Sequence, residues 1–210
     1  MRRDKVMYLT RLFFSLRSRE ARFDLSDRYE LHRTLLCAFP QTLPDSERVL
    51  YRVEEQYWLP VVPVLVQSID RPDWTCAERL NHAGYLEQAI NVRPIAPQVQ
   101  ADERLRFRLQ ANPTVKRDGK RHAILTEENL RAWLARKGQV HGFRVAPEQV
   151  QVVKLGKKFG KKRQQTWYAV QFDGVLTVTD SDALISALGN GVGSAKAFGF
   201  GLLSIPYRTV

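Results

Sequence analysis

The stretch from Asp27 to Pro40 constrains the fold more than any other. Asp27 and Glu30 form a D-x-x-E start of the capping-box kind, and Pro40 imposes a stop. Between them Leu31, Leu35 and Phe39 recur at helical spacing and define one buried stripe. A helix this short must be packed by its neighbours, and those neighbours read as strands. Val6 to Phe14 precedes it, rich in β-branched and aromatic residues, and Arg48 to Glu54 and Val61 to Ser68 follow. Arg17 to Arg22 reads as a basic loop, Trp74 to His82 as a short helix, and Leu86 to Val92 as a closing strand. The order β-α-β-β-α-β is the ferredoxin-like arrangement.

Residues 93–102 carry two prolines and no periodicity, and read as a linker. A second unit then repeats the pattern. Arg104 to Ala111 alternates charged and apolar residues as a half-exposed strand does. Thr126 to Lys137 is a helix with Thr126 as N-cap, Leu130, Trp133 and Leu134 on one face, and Gly138 beyond its end. Phe143 to Ala146, Val150 to Leu155, Thr166 to Phe172 and Val175 to Thr179 read as strands, Asp180 to Leu188 as a capped helix, and Leu202 to Ile205 as a last strand. The expected fold class is α+β, with two tandem ferredoxin-like (RRM-like) domains and an inserted basic β-hairpin in the second. The boundaries are 1–92 for the N-terminal domain, 93–102 for the linker and 103–210 for the C-terminal domain.

Charge narrows the partner. Lys and Arg number 33 against 22 Asp and Glu, a net charge of +11. That balance fits a polyanion, nucleic acid ahead of an acidic membrane or acidic protein. The longest apolar stretch, Leu59 to Val66, is broken by Pro60 and Pro63 and cannot form a transmembrane helix. The basic N-terminus lacks a signal-peptide core, so a cytoplasmic location is expected. Two cysteines make no disulfide framework, and Cys37 reads as a buried thiol in the core of its helix.

Four features could carry chemistry. Lys154 to Arg163 holds six basic residues in ten, namely Lys154, Lys157, Lys158, Lys161, Lys162 and Arg163, with two glycines and no acid. Strand-like segments flank it, so it reads as a hairpin with a cationic tip. Such a tip can protect an edge strand, but its mutual repulsion is best relieved by phosphates. A second cluster, Lys116 to Arg121, reads equally as a solvated turn or a further contact. Gly191 to Gly201 places Gly191, Gly193, Gly199 and Gly201 around Lys196, a density that allows positive φ and close approach to phosphate. It is neither a Walker loop nor a dinucleotide fingerprint. Lys196 to Phe200 looks superficially like the aromatic strand of RNA-recognition modules, yet the flanking glycines favour a loop. Last, Tyr29 and His32 stand three apart on the capped helix, on one face beside the Leu31/Leu35 stripe. Such a pair can move protons.

The four histidines and two cysteines show no metal-ligand spacing, and the acids form no cluster suited to two-metal cleavage. A nuclease built from these residues is expected to work without metal or other cofactor. That route is easy only on RNA, whose 2′-OH is an internal nucleophile.

The chain resembles the CasE-type CRISPR repeat endonucleases, the RNA-processing subunits of type I-E Cascade. Four places carry the resemblance: Met7-Tyr8-Leu9-Thr10, Tyr29-Glu30-Leu31-His32, Arg106-Phe107-Arg108-Leu109-Gln110-Ala111-Asn112-Pro113, and Gly191 to Gly201 with Leu202-Leu203-Ser204 after it. They run in the family's order. The cationic hairpin has no fixed family pattern. The resemblance implies two tandem ferredoxin-like domains, with His32 and Tyr29 at the active site. It implies cleavage of precursor CRISPR RNA at the 3′ base of each repeat stem-loop, leaving a 5′-hydroxyl and a 2′,3′-cyclic phosphate. The expected partners are the repeat RNA and other Cascade subunits. Whether His32 acts as base or acid stays open, and a non-catalytic RNA-binding module is the alternative reading.

Overall fold

A computed structural model describes residues 6–40, 48–54, 60–160 and 164–207. Its first half contains β1 (Met7–Ser15), α1 (Arg19–Ser26), α2 (Arg28–Leu36), β2 (Leu50–Val53), β3 (Val61–Ser68) and β4 (Asn91–Ile95). Its second half contains β5 (Arg104–Ala111), β6 (Thr114–Arg117), β7 (Lys120–Ala123), α3 (Glu127–Val140), β8 (Phe143–Val145), β9 (Gln151–Gly160), β10 (Gln165–Val178), α4 (Ser181–Asn190) and β11 (Leu203–Ser204).

The first sheet has the antiparallel order β2-β3-β1-β4. The second has the order β11-β5-β10-β8, with β9 added along β10. In each, the first strand lies between the third and the last, the spatial order of the ferredoxin-like fold. The fold is mixed α+β with antiparallel sheets.

Period-2 alternation decides which face each sheet buries. Leu12 and Phe14 of β1, Tyr51 and Val53 of β2, and Val64 and Val66 of β3 pack with Leu31 and Leu35 of α2. The intervening residues Leu50 and Leu65 face the other way and cluster with Leu202 of the second half. In the second sheet, Phe107, Leu109, Val170, Phe172 and Leu176 pack beneath Leu130, Trp133 and Leu134 of α3 and Leu184 and Leu188 of α4. Polar bonds join the two halves. Arg52 donates to the Leu202 carbonyl (3.3 Å) and to Ser204 Oγ (2.9 Å) and pairs with Glu54. Arg108 bridges Glu54 and Asp173.

Several elements differ from the sequence reading. Arg17 to Arg22 is not a loop: α1 begins there, because the Ser18 hydroxyl accepts from the Ala21 N–H (3.2 Å) and Glu20 sits in the first turn. Asp27 ends α1 and caps α2, accepting from the Tyr29 N–H (2.9 Å). Cys37 is exposed rather than buried, since it lies just past the last residue of α2 as the C-cap. The expected helix at Trp74–His82 is two 3₁₀ turns, Trp74–Cys76 and Glu78–Asn81. β4 is Asn91–Ile95, later than Leu86–Val92, and takes in the start of the expected linker. α3 runs through Gly138, where a Cβ would fall 2.5 Å from the Phe143 carbonyl oxygen, so this glycine admits β8. The two strands expected on either side of Asp173-Gly174 are one, β10.

Candidate active site and nucleic-acid interface

Helix α2 presents Tyr29 and His32 one turn apart, both half-buried. The His32 ring lies against two aromatic residues brought in from elsewhere. Its centroid is 6.4 Å from that of Tyr51 on β2, with the planes 20° apart, and 6.1 Å from that of Phe198 in the glycine-rich segment. Burial lowers the affinity of the imidazole for a proton, so its pKa falls below the ordinary value. Nδ1 is buried and makes no hydrogen bond. The ring is thus neutral at physiological pH. Tyr51 is fixed from behind, its hydroxyl donating to the Arg28 carbonyl (3.1 Å).

The glycine-rich segment is a loop with one 3₁₀ turn, Lys196–Phe198. Its glycines admit close packing. A Cβ on Gly199 (φ +80°) would lie 2.7 Å from the Tyr51 ring and 3.0 Å from Arg28 Nη1. A Cβ on Gly191 would meet Leu50, and one on Gly193 would meet Trp133. The Gly191 and Gly201 N–H groups donate to the carbonyls of Ala187 and Gln110 (2.8 and 2.7 Å). They hold the loop, while Lys196 stays half-exposed. Phe200 is fully buried and cannot stack on a base, which removes it from the alternative of an RNA-binding module that uses both aromatics.

Phe198 also stacks on Trp167 of β10, at 4.3 Å and 26°. Trp167 stands opposite Lys158 on β9, so the hairpin and the histidine share one aromatic support. The base of the hairpin tip lies over the start of α2, where a Cβ on Gly160 would come within 3.9 Å of Asp27 Oδ1. The hairpin is real, but its cations divide. A bulge at Gly156 (φ +79°) makes Gly156 oppose Ala169 and Lys154 oppose Val170. Lys154 and Lys157 therefore share the face of Val170 and Tyr168, both lysines exposed, whereas Lys158 is on the Trp167 face. Lys161, Lys162 and Arg163 lie outside the described residues.

Lys116 to Arg121 is a second hairpin, β6–β7. It turns at Asp118-Gly119, both at positive φ, with Lys116, Arg117, Lys120 and Arg121 exposed. Among the described residues no group of three or more His, Cys, Asp or Glu side chains is arranged to hold a metal, and no helix is long and apolar enough to cross a membrane. The spacing of Tyr29 and His32 places them together on one helix, as α2 does. Sequence reasoning missed Tyr51, which the tertiary fold brings to the histidine, and Trp167, which it brings to Phe198.

A family model described as "CRISPR associated protein" matches residues 7–206. The chain belongs to this CRISPR-associated family. It is 38% identical, over 95% of its length and 99% of the relative, to the CRISPR-associated endoribonuclease Cse3 of Thermus thermophilus. It is 31% identical, over 95% of its length and 98% of the relative, to the CRISPR system Cascade subunit CasE of Escherichia coli. Among solved structures, Thermus thermophilus Cse3 bound to an RNA representing a pre-cleavage complex superposes with a TM-score of 0.84 at 38% identity, covering 95% of this chain and 98% of that one. The resemblance drawn from four short motifs thus extends over nearly the whole CRISPR-associated chain.

Proposed function

We propose that this chain is an endoribonuclease that cuts precursor CRISPR RNA at the 3′ base of the repeat stem-loop, without metal, and then retains the hairpin among other Cascade subunits. The observation that supports this most is the half-buried, neutral His32 beside Tyr29, on the aromatic support that also carries a cationic hairpin. The relatives' names agree: one is an endoribonuclease, the other a Cascade subunit.

In this reading the ribose 2′-oxygen attacks the adjacent phosphorus and the bond from phosphorus to the 5′-oxygen breaks. The proton leaving the 2′-OH goes to a base, and one is delivered to the departing 5′-oxygen. The products are a 2′,3′-cyclic phosphate and a 5′-hydroxyl. A neutral imidazole suits the accepting role, and because Nδ1 is enclosed, Nε2 is the nitrogen available for it. Tyr29 orients the 2′-OH. Lys154, Lys157 and Lys158, with Lys161, Lys162 and Arg163 further along, grip the stem backbone, since an A-form major groove is too narrow for ordinary base reading. Gly191, Gly193, Gly199 and Gly201 shape the shelf on which the RNA rests, and Lys196 offers it a charge.

The test is single-turnover cleavage of a labelled repeat stem-loop. His32→Ala is expected to slow cleavage by about 10²–10⁴-fold while binding changes little. A 2′-deoxyribose at the scissile position is expected to bind and resist cleavage. Rapid cutting of that substrate, or equal collapse of binding and cleavage in His32→Ala, overturns the mechanism. Binding without any cleavage by the unaltered chain would instead favour the non-catalytic module.

A further inference from the structure

The glycine-rich segment faces two ways. Phe198, at one end of its 3₁₀ turn, leans on His32. Lys196 is at the other end, and other cations lie outside both the hairpin and the histidine site. Lys137, in the last turn of α3, is 5.9 Å from the Trp133 ring centroid, and that ring is the surface Gly193 packs on. His141 caps the same helix end. Arg48, just ahead of β2, comes in from the first half of the molecule and is exposed. Lys137, His141 and Lys196 are half-exposed.

Packing brings these groups to one place: a Cβ on Gly191 would meet Leu50, two residues after Arg48, one on Gly193 would meet the Trp133 ring beneath Lys137, and one on Gly201 would lie 3.2 Å from Lys196 Cγ. Their electrostatics agree. Burial first, then the charges of Arg48 and Lys137, pull the Lys196 ammonium below its ordinary pKa. Burial first, then Lys137 and Lys196, do the same to His141. No carboxylate appears among these influences, and among the described residues none of the four makes an ion pair. By contrast, Arg52 and Arg108, which also lie where the two halves meet, both pair with acids. Like charges held this close without a counter-ion repel, which makes an incoming polyanion favourable. The negative end of the α3 dipole offsets the repulsion only in part.

We propose that Arg48, Lys137, His141 and Lys196 form a phosphate subsite for the RNA backbone, separate from the cationic hairpin, that holds the strand within a few nucleotides of the cut. This rests on the RNA-cleaving reading given above. The subsite has contributions from both halves of the molecule and lies across the glycine-rich turn from His32, so it fixes the direction in which the strand leaves the active site. Its chemistry is that of phosphate oxygens and carries no preference for base.

The test is the salt dependence of affinity for a repeat stem-loop carrying single-stranded flanks, measured with the full chain. Each lost phosphate contact lowers the slope of log K against log salt by about 0.7–0.9. The double variant R48Q/K137Q is therefore expected to lower it by roughly 1.4–1.8, and the charge-preserving R48K/K137R to keep it. The hairpin variant K157Q/K158Q is expected to lower it separately and additively. A slope unchanged in R48Q/K137Q but lowered in K157Q/K158Q overturns the subsite and leaves the nuclease reading standing. A slope lowered equally in R48K/K137R also overturns it, because packing rather than charge would then be at work. No binding by the unaltered chain overturns both proposals.

Discussion

His32 packs near two aromatic rings, Tyr51 and Phe198, and burial lowers its proton affinity. The neutral ring is the accepting form and predominates above its pKa. A depressed pKa keeps it neutral further into acid, so cleavage limited by proton acceptance should rise with pH and level off with a midpoint below 6.5, the ordinary value. Phe198→Ala opens the ring to water and should move that midpoint upward. A single-turnover pH profile checks both, and a midpoint above 6.5 that Phe198→Ala leaves in place argues against the accepting role. Stability has the same sign: as pH falls below 6.5 the unfolded ring takes a proton more readily, so this residue's contribution is lost on the acid side. The pair Tyr29 and His32 was legible because helical spacing alone puts them on one face. The depressed pKa was not, since Tyr51 and Phe198 are far away in sequence.

At the scale of elements, α2 is positioned by a buried carboxylate. Asp24 of α1 accepts from Thr34 Oγ1 of α2 (2.7 Å), from Tyr85 OH (2.6 Å) and from Arg79 Nη1 (2.7 Å). Asp24→Ala leaves buried donors without a partner and should cost about 2–4 kcal/mol, read as a fall in Tm of several degrees. Asp27→Ala removes the cap of α2 and should cost about 1 kcal/mol. A Tm unchanged in Asp24→Ala would show that other contacts align the two helices. The start and stop of α2 were legible because Asp27 and Pro40 act locally. Helix α1 was hidden by its many arginines, which resemble a loop until Ser18 is recognised as a cap. Gly138 and Gly174 looked like breaks because a glycine admitting a neighbour reads the same as one ending an element. Phe143 crowds the first, and a Cβ on the second would lie 3.2 Å from the Phe107 ring.

For the whole molecule, the order of periodic segments was enough to suggest two ferredoxin-like units, and both sheets have that strand order. How the units meet was not legible, because Leu50, Leu65 and Leu202 are ordinary apolar residues until the sheets are placed. Leu202→Ala empties the centre of that small cluster and should cost about 2–5 kcal/mol. At roughly 2–4 °C per kcal/mol for a chain of this size, calorimetry should show the loss clearly. A loss below about 1 kcal/mol would mean that the polar bonds of Arg52 and Arg108 carry the junction instead.

Phe198 borders the imidazole on one side and Trp167 on the other. In evolutionary terms such a side chain answers to two masters. A drift in hairpin shape that moves Trp167 reaches His32 through this one ring. On the proposed mechanism, a change in the repeat that reshapes the hairpin would have to be matched at the imidazole through this shared ring.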